Sequence, residues 1–136
     1  VHDPKSAILQ NHSGAAGLFA PLKDVVRFAQ FQLGQLKVDQ PPISQASVKS
    51  LYRDWTPKHL GRSLGWDLRF EPQEHQPLIY HTGFTGTFML LDRKRQTGLI
   101  VLSNRIHPTA DNPVFLERRD AIVAQFLADN HLETKA

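Results

Sequence analysis

Apolar residues recur at three- and four-residue spacing over 22–36, where Leu22, Val25, Val26, Ala29, Leu33 and Leu36 form one stripe and Lys23, Asp24, Arg27 and Gln30 face elsewhere. That period predicts an amphipathic helix. Pro21 suits its first turn and Gly34 marks its end. Two prolines in "VDQPPIS", residues 38–44, break the pattern, after which Val48, Leu51, Tyr52 and Trp55 share one face of a second, short helix. From Leu64 the period becomes two: Leu64, Trp66, Leu68 and Phe70 alternate with Gly65, Asp67 and Arg69, as in a half-buried strand. Pro72 and Pro77 bracket a polar loop. Residues 78–84, 87–92 and 99–104 read as three more strands, the last two joined by the turn-like "DRKRQTG". Asn112 and Pro113 open a closing helix whose broad apolar face carries Leu116, Ile122, Val123, Phe126 and Leu127, with a frayed tail after Asn130.

The order helix, helix, four strands, helix, with short connections, predicts an α+β fold built as an antiparallel sheet flanked by helices. A length of 136 residues fits one domain, 1–136. No apolar run approaches the roughly 18 residues of a membrane span. The formal charge of +3 is small and scattered, so no nucleic-acid partner is expected. The absence of cysteine excludes disulfides, thiolate metal sites and a cysteine nucleophile, and leaves localisation open. The only methionine is Met89, within a predicted strand. Val1 is therefore expected to follow a removed segment.

Candidate chemistry changes this picture at three places. "GRSLG", residues 61–65, has the G-x-S-x-G spacing of a nucleophile elbow. An elbow, however, sets its serine between a strand and a helix, whereas Ser63 leaves a helical stretch and enters a strand. A loop serine between two permissive glycines is the simpler reading. Seven histidines, at 2, 12, 59, 75, 81, 107 and 131, show no H-x-H or H-E-x-x-H spacing, so no metal site is expected. Ser13 or Ser103 could join a triad only with distant partners. The third place is "YHTGFTGTFMLL", residues 80–91, where two glycines and two threonines interrupt a strand. Gly83 would let a ligand lie against the backbone of an edge strand, with free N–H and C=O groups for an acyl compound and an N–H for its oxyanion. A glycine-softened structural strand is the plain alternative.

"HTGFTG" followed by an apolar strand, with "GAAGLFAPLKDVVRF", "LGWD", "VLSNRIHP" and "VHD" in this order, resembles one family. These are the serine hydrolases that include class C β-lactamases, low-molecular-weight penicillin-binding proteins and related esterases. The resemblance runs from Val1 to about Phe126. It implies that His81 and Thr82 orient the substrate and its carboxylate, and that the Phe84 N–H completes an oxyanion hole. Gly83 would lie along the substrate, with Asn104 and Arg105 at the rim. The family's S-x-x-K and Y-x-N motifs, which supply the nucleophile and proton carriers, occur nowhere in these residues. By resemblance the chain is thus the C-terminal portion of a longer hydrolase, silent alone and needing no cofactor. His81 stands where the family usually has lysine, which favours an esterase or D-aminopeptidase-like member over an antibiotic-hydrolysing one. Expected partners are the N-terminal part of the same protein, a small acyl substrate (ester, β-lactam or D-amino-acid peptide) and, through uncovered surface, further copies of the chain. A stand-alone binding module for carboxylated peptides is the alternative in a different class.

Overall fold

A computed structural model of the chain describes residues 7–9, 14–69 and 76–132. They include helices α1 (Leu22–Leu33), α2 (Gln45–Ser50) and α3 (Pro113–Leu132), and strands β1 (Asp67–Arg69), β2 (Leu78–Thr82), β3 (Phe88–Asp92) and β4 (Thr97–Val101). The strands form one antiparallel sheet in the order β1-β2-β3-β4, the α+β arrangement that the periodicity predicts. Contacts group the chain into two compact units. One comprises Leu18–Thr82 and Phe88–Ile100; the other comprises Val1–Gly17, Gly83–Thr87 and Val101–Ala136.

The core of the first unit follows from strand register. Leu68 lies opposite Ile79, and Ile79 opposite Leu91, so three branched side chains meet across one face of the sheet. Ala29 and Leu33 of α1 and Tyr52, just beyond α2, close over them, with Leu51, Trp66, Met89 and Ile100 around the margin. Leu78, Tyr80, Phe88 and Leu90 alternate with that set and are also buried. Burial on both faces explains why β3 reads "FMLLD" rather than as a strict alternation. Burial pushes the Tyr52 phenol well above its ordinary range, an effect that the Arg93 cation opposes.

Helix α1 begins directly after Pro21, whose carbonyl accepts the Asp24 N–H at 3.0 Å. It stops at Leu33, short of Leu36, because Gly34 takes the left-handed conformation at φ 83° and returns its N–H to the last turn. The remaining carbonyls of that end are met by the β3–β4 hairpin, residues 93–96. Arg93 Nη1 donates to the Gln32 carbonyl at 2.6 Å, and Gln96 Nε2 to the Leu33 carbonyl at 2.9 Å. Arg93 also reaches Gln45 Oε1 at 3.2 Å, at the start of α2. A Cβ on Gly34 would stand 2.6 Å from Arg93 Nη2, so this glycine serves both the turn and the guanidinium. The basic triplet at the hairpin tip is thus partly a helix cap. Arg95 pairs with the buried Asp92 at 2.7 Å.

Several boundaries move for local reasons. The predicted stripe of α1 is buried toward its C-terminal end, but Leu22 and Val26 are exposed. The second helix ends at Ser50, leaving Trp55 exposed in the loop beyond. The alternation from Leu64 becomes strand only at Asp67, because Gly65 at φ 78° and the Ser63 N–H to Trp66 carbonyl bond at 2.9 Å turn the chain first. Phe70 and Pro72 lie outside the described residues. Strand β4 starts at Thr97, earlier than predicted, because the hairpin closes within 93–96 with Gln96 at φ 57°.

In the second unit, Asn112 caps α3 by accepting the Phe115 N–H on Oδ1 at 3.1 Å. Val123 is buried on this helix, whereas Leu116 and Ile122 of its predicted apolar face are exposed. Among the described residues no helix is long and apolar enough to cross a membrane.

Two predictions follow from the first unit. Arg93→Met should lower unfolding free energy by roughly 2 kcal/mol in urea titration, the scale of hydrogen bonds from a charged donor. Arg93→Lys should recover only part of it, since an ammonium cannot reproduce the planar fork. The second concerns Asp54, whose carboxylate accepts from Thr56 Oγ1 and N–H and from the Gly61 N–H, holding its pKa at about 2 against 3.8 ordinarily. A depressed pKa contributes stability that is complete above the unfolded value and lost as pH falls through the folded one. Thermal melts of Asp54→Asn should therefore converge on those of the parent as pH drops from 4 to 2; curves that stay parallel would count against this linkage.

Candidate functional site

Strand β2 carries the first of the residues singled out by the sequence. It is an inner strand, between β1 and β3, rather than an edge. Its pairing with β1 nevertheless ends where Asp67 faces Tyr80. On its other side the ladder continues, with His81 opposite Met89 and Thr82 opposite Phe88. His81 and Thr82 therefore lie beyond the paired stretch of β1, because the Gly65 turn has already carried that chain away. The exposed His81 ring stands edge-on to Trp66, with centroids 6.3 Å apart, and Trp66 stacks on Phe28 at 6.4 Å. Trp66 was legible only as a strand residue; its apposition to His81 depends on the turn that precedes β1.

The second unit contains the turn into which β2 runs. The Gly83 carbonyl accepts the Gly86 N–H at 3.0 Å, and the Gly83 N–H donates to the Thr87 carbonyl at 2.7 Å. Phe84 and Thr85 occupy the two central positions of this β-turn. The Phe84 N–H has no partner among the described residues. Peptide planarity fixes its direction: held trans to the Gly83 carbonyl, which faces Gly86, it points out of the turn.

The room left by the two glycines is filled by the chain itself. A Cβ on Gly83 would lie 2.5 Å from Thr87 Oγ1, and one on Gly86, at φ 110°, would lie 2.9 Å from both the Arg105 nitrogen and Ser103 Oγ. Ser103 Oγ donates to the Gly86 carbonyl at 2.6 Å. The Arg105 N–H donates to the Thr85 carbonyl at 2.9 Å. Arg105 Nε donates to the Phe84 carbonyl at 2.7 Å, and its Nη1 to the Ala110 carbonyl at 3.1 Å. The guanidinium also lies 4.9 Å from the centre of the Phe84 ring. Phe84 and Arg105 are thus brought together. The neighbouring Asn104 is exposed, and its Oδ1 accepts the Ile106 N–H at 3.3 Å. Ser103 had entered the sequence reading only as a remote triad member; its role here needed the fold to bring it beside Gly86.

The alternative nucleophile has different surroundings. Ser63 lies between a loop and β1, with no helix after it, and its Oγ is buried without a hydrogen-bond partner among the described residues. Arg62 and Asp67 pair across the bend that contains it. Ser13 and the first three residues lie outside the described residues. Among those described, no three His, Asp or Glu side chains gather as a metal site would require.

Comparison with known proteins adds an independent observation. A family model described as Beta-lactamase matches residues 1–124. The chain is 30% identical over 128 residues to a Salmonella gallinarum protein named "Putative D-alanyl-D-alanine carboxypeptidase", covering 83% of this chain and 28% of that protein. It is 25% identical over 122 residues to a Bacillus subtilis protein named N-acetylmuramyl-L-alanine amidase, with the same coverages of 83% and 28%. The chain thus spans 28% of the length of these curated relatives. No solved structure matches it.

The burial of Ser63 yields a direct test. Incubation of the 136-residue chain with a fluorophosphonate probe, followed by intact mass measurement, should show no adduct. A stoichiometric adduct that disappears in Ser63→Ala would establish the small-esterase reading instead.

Proposed function

Because the chain belongs to the beta-lactamase family, we propose that it supplies the substrate-facing strand and turn of an acyl-transferring serine hydrolase. The carrying observation is the Gly83–Thr87 turn, whose outward Phe84 N–H has no partner among the described residues while the carbonyls around it are all engaged. A donor held in that way can meet negative charge as it develops without reorganising, which is the basis of oxyanion stabilisation. The alignment with proteins named as a carboxypeptidase and an amidase supports a substrate whose reacting group is an acyl carbon. Esters, D-amino-acid peptides and β-lactams all offer one.

In this reading the nucleophile is a serine in an S-x-x-K motif, contributed by chain beyond these 136 residues. Its oxygen bonds to the acyl carbon, and the carbonyl electron pair moves onto oxygen, where the Phe84 N–H receives it. The intermediate then expels the alcohol or amine, which leaves with the proton taken from the serine. Water repeats the sequence on the acyl-enzyme, releasing the acid and restoring the hydroxyl. By family resemblance, His81 and Thr82 would orient the substrate, and Gly83 and Asn104 would contact it. With histidine in place of lysine, the strand offers an imidazole that can act as a neutral hydrogen-bond partner, which favours uncharged ester or D-aminopeptide substrates. Supplying the N-terminal part, by coexpression or within the longer protein, should generate this activity.

The assignment of the N–H has a clean test, because proline is well accommodated at the first central position of a β-turn and lacks only the donor. In the longer protein, Phe84→Pro should lower kcat for a chromogenic ester by roughly two to three orders of magnitude. Phe84→Ala, which keeps the N–H and loses the ring, should retain most of it. Equal losses in the two variants would remove the N–H from the mechanism. A longer protein that possesses S-x-x-K yet is acylated by no ester or β-lactam would favour the carboxylated-peptide binding module.

A further inference from the structure

Three consecutive carbonyls of the turn, those of Phe84, Thr85 and Gly86, each receive one donor from the short segment 103–105: Arg105 Nε, the Arg105 N–H and Ser103 Oγ, respectively. We propose that this segment is a carbonyl clamp and that Arg105 is a positioning residue, acting on the Phe84 peptide rather than on the substrate. The inference rests on the assignment of the Phe84 N–H given above, and it concerns how that group is held.

The geometry distinguishes the two roles. A substrate-binding arginine presents its guanidinium fork to a carboxylate, with two parallel N–H donors. Here two separate nitrogens of Arg105 are committed elsewhere, Nε to the Phe84 carbonyl at 2.7 Å and Nη1 to the Ala110 carbonyl at 3.1 Å. The plane of the group is occupied as well, with its carbon 4.9 Å from the Phe84 ring centre. Both ends of Phe84 are therefore held by one side chain, its carbonyl by a hydrogen bond and its ring by a cation–π contact. The backbone of the same residue closes the next peptide through the Thr85 carbonyl. Gly86 is glycine because the clamp approaches so closely that any Cβ would meet it.

A turn held at three successive carbonyls cannot rotate its peptide planes one at a time. Freed of Arg105 Nε, the Phe84–Thr85 peptide could pivot; that rotation would loosen the Gly86 N–H to Gly83 carbonyl bond across the turn, and with it the adjoining Gly83–Phe84 peptide that carries the Phe84 N–H. Displacement of a catalytic donor by about 1 Å can cost on the order of a hundredfold in rate, without altering groups that bind the substrate. The charge of Arg105 serves the cation–π contact but is not sufficient for the clamp. The planar fork that reaches two carbonyls while stacking on the ring is also needed, and lysine does not supply it.

Two measurements test this, on Arg105→Gln and Arg105→Lys. In the 136-residue chain, amide hydrogen exchange by NMR should accelerate at least severalfold at Gly83 and Gly86 in both variants, while Leu90 and Leu91 of β3 remain as protected as in the parent. Unchanged protection at the two glycines, or an equal loss at β3, would overturn the clamp. In the longer protein, both variants should lose roughly tenfold or more in kcat, with KM within about twofold, and equally for carboxylated and uncharged esters. A rise in KM confined to carboxylated esters, rescued by lysine, would make Arg105 a substrate contact and defeat the proposal. If the longer protein hydrolyses no ester at all, the functional reading fails, and the exchange measurement still decides whether the clamp exists.

Discussion

The C-terminal end of an α-helix leaves carbonyls without partners, and a helix that packs on a sheet must find donors for them nearby. In the first unit, α1 meets this requirement with the tip of the β3–β4 hairpin, through Arg93 on the Gln32 carbonyl and Gln96 on the Leu33 carbonyl. Ala29 and Leu33 can then lie on Leu68, Ile79 and Leu91 without stranding polar backbone. The same guanidinium reaches Gln45 and lies 5.9 Å from the Tyr52 ring centre, so one side chain joins both helices of the unit to the sheet. Gly34 lies directly under the fork: its φ of 83° favours glycine, and a Cβ there would stand 2.6 Å from Arg93 Nη2 and push the fork aside.

The second unit solves a related problem at smaller scale. A β-turn leaves its central carbonyls facing outward, and here each is answered from 103–105. The remaining outward group of interest is a donor, the Phe84 N–H. In the proposed function, fixing acceptors so that a donor stays available would let a backbone N–H, rather than a charged side chain, meet the developing anion.

Much of this was legible in the sequence. The change of period at Leu64 and the run from Leu78 to Asp92 mark the strands because apolar alternation directly reports a half-buried surface. Asn112 capping α3 was readable because capping is a contact between near neighbours in the chain. The exposure of Leu22 and Val26 was not, since periodicity indicates which residues share a face and not what covers that face. Nor were the contacts of Arg105. Its partners, Phe84 and Thr85, are about twenty residues away, a separation that no local pattern reports. The glycines of "HTGFTG" were noticed for the space they leave, but only three-dimensional packing identifies Thr87, Ser103 and Arg105 as its occupants.

The cap on α1 also bears on the order in which the first unit can assemble. Arg93 and Gln32 are 61 positions apart along the chain, and Gln96 and Leu33 are 63 apart. The β2–β3 ladder, by contrast, is closed by a short turn. Loop closure favours near contacts over distant ones, so β2 and β3 can pair before the Gln32 and Leu33 carbonyls have donors. Until the hairpin tip arrives, those two carbonyls must rely on water, while Gly34, Gln35 and Leu36 already cap the preceding ones. The final turn of α1 should accordingly be among the last parts of the unit to become rigid, and the first to loosen when the chain begins to unfold.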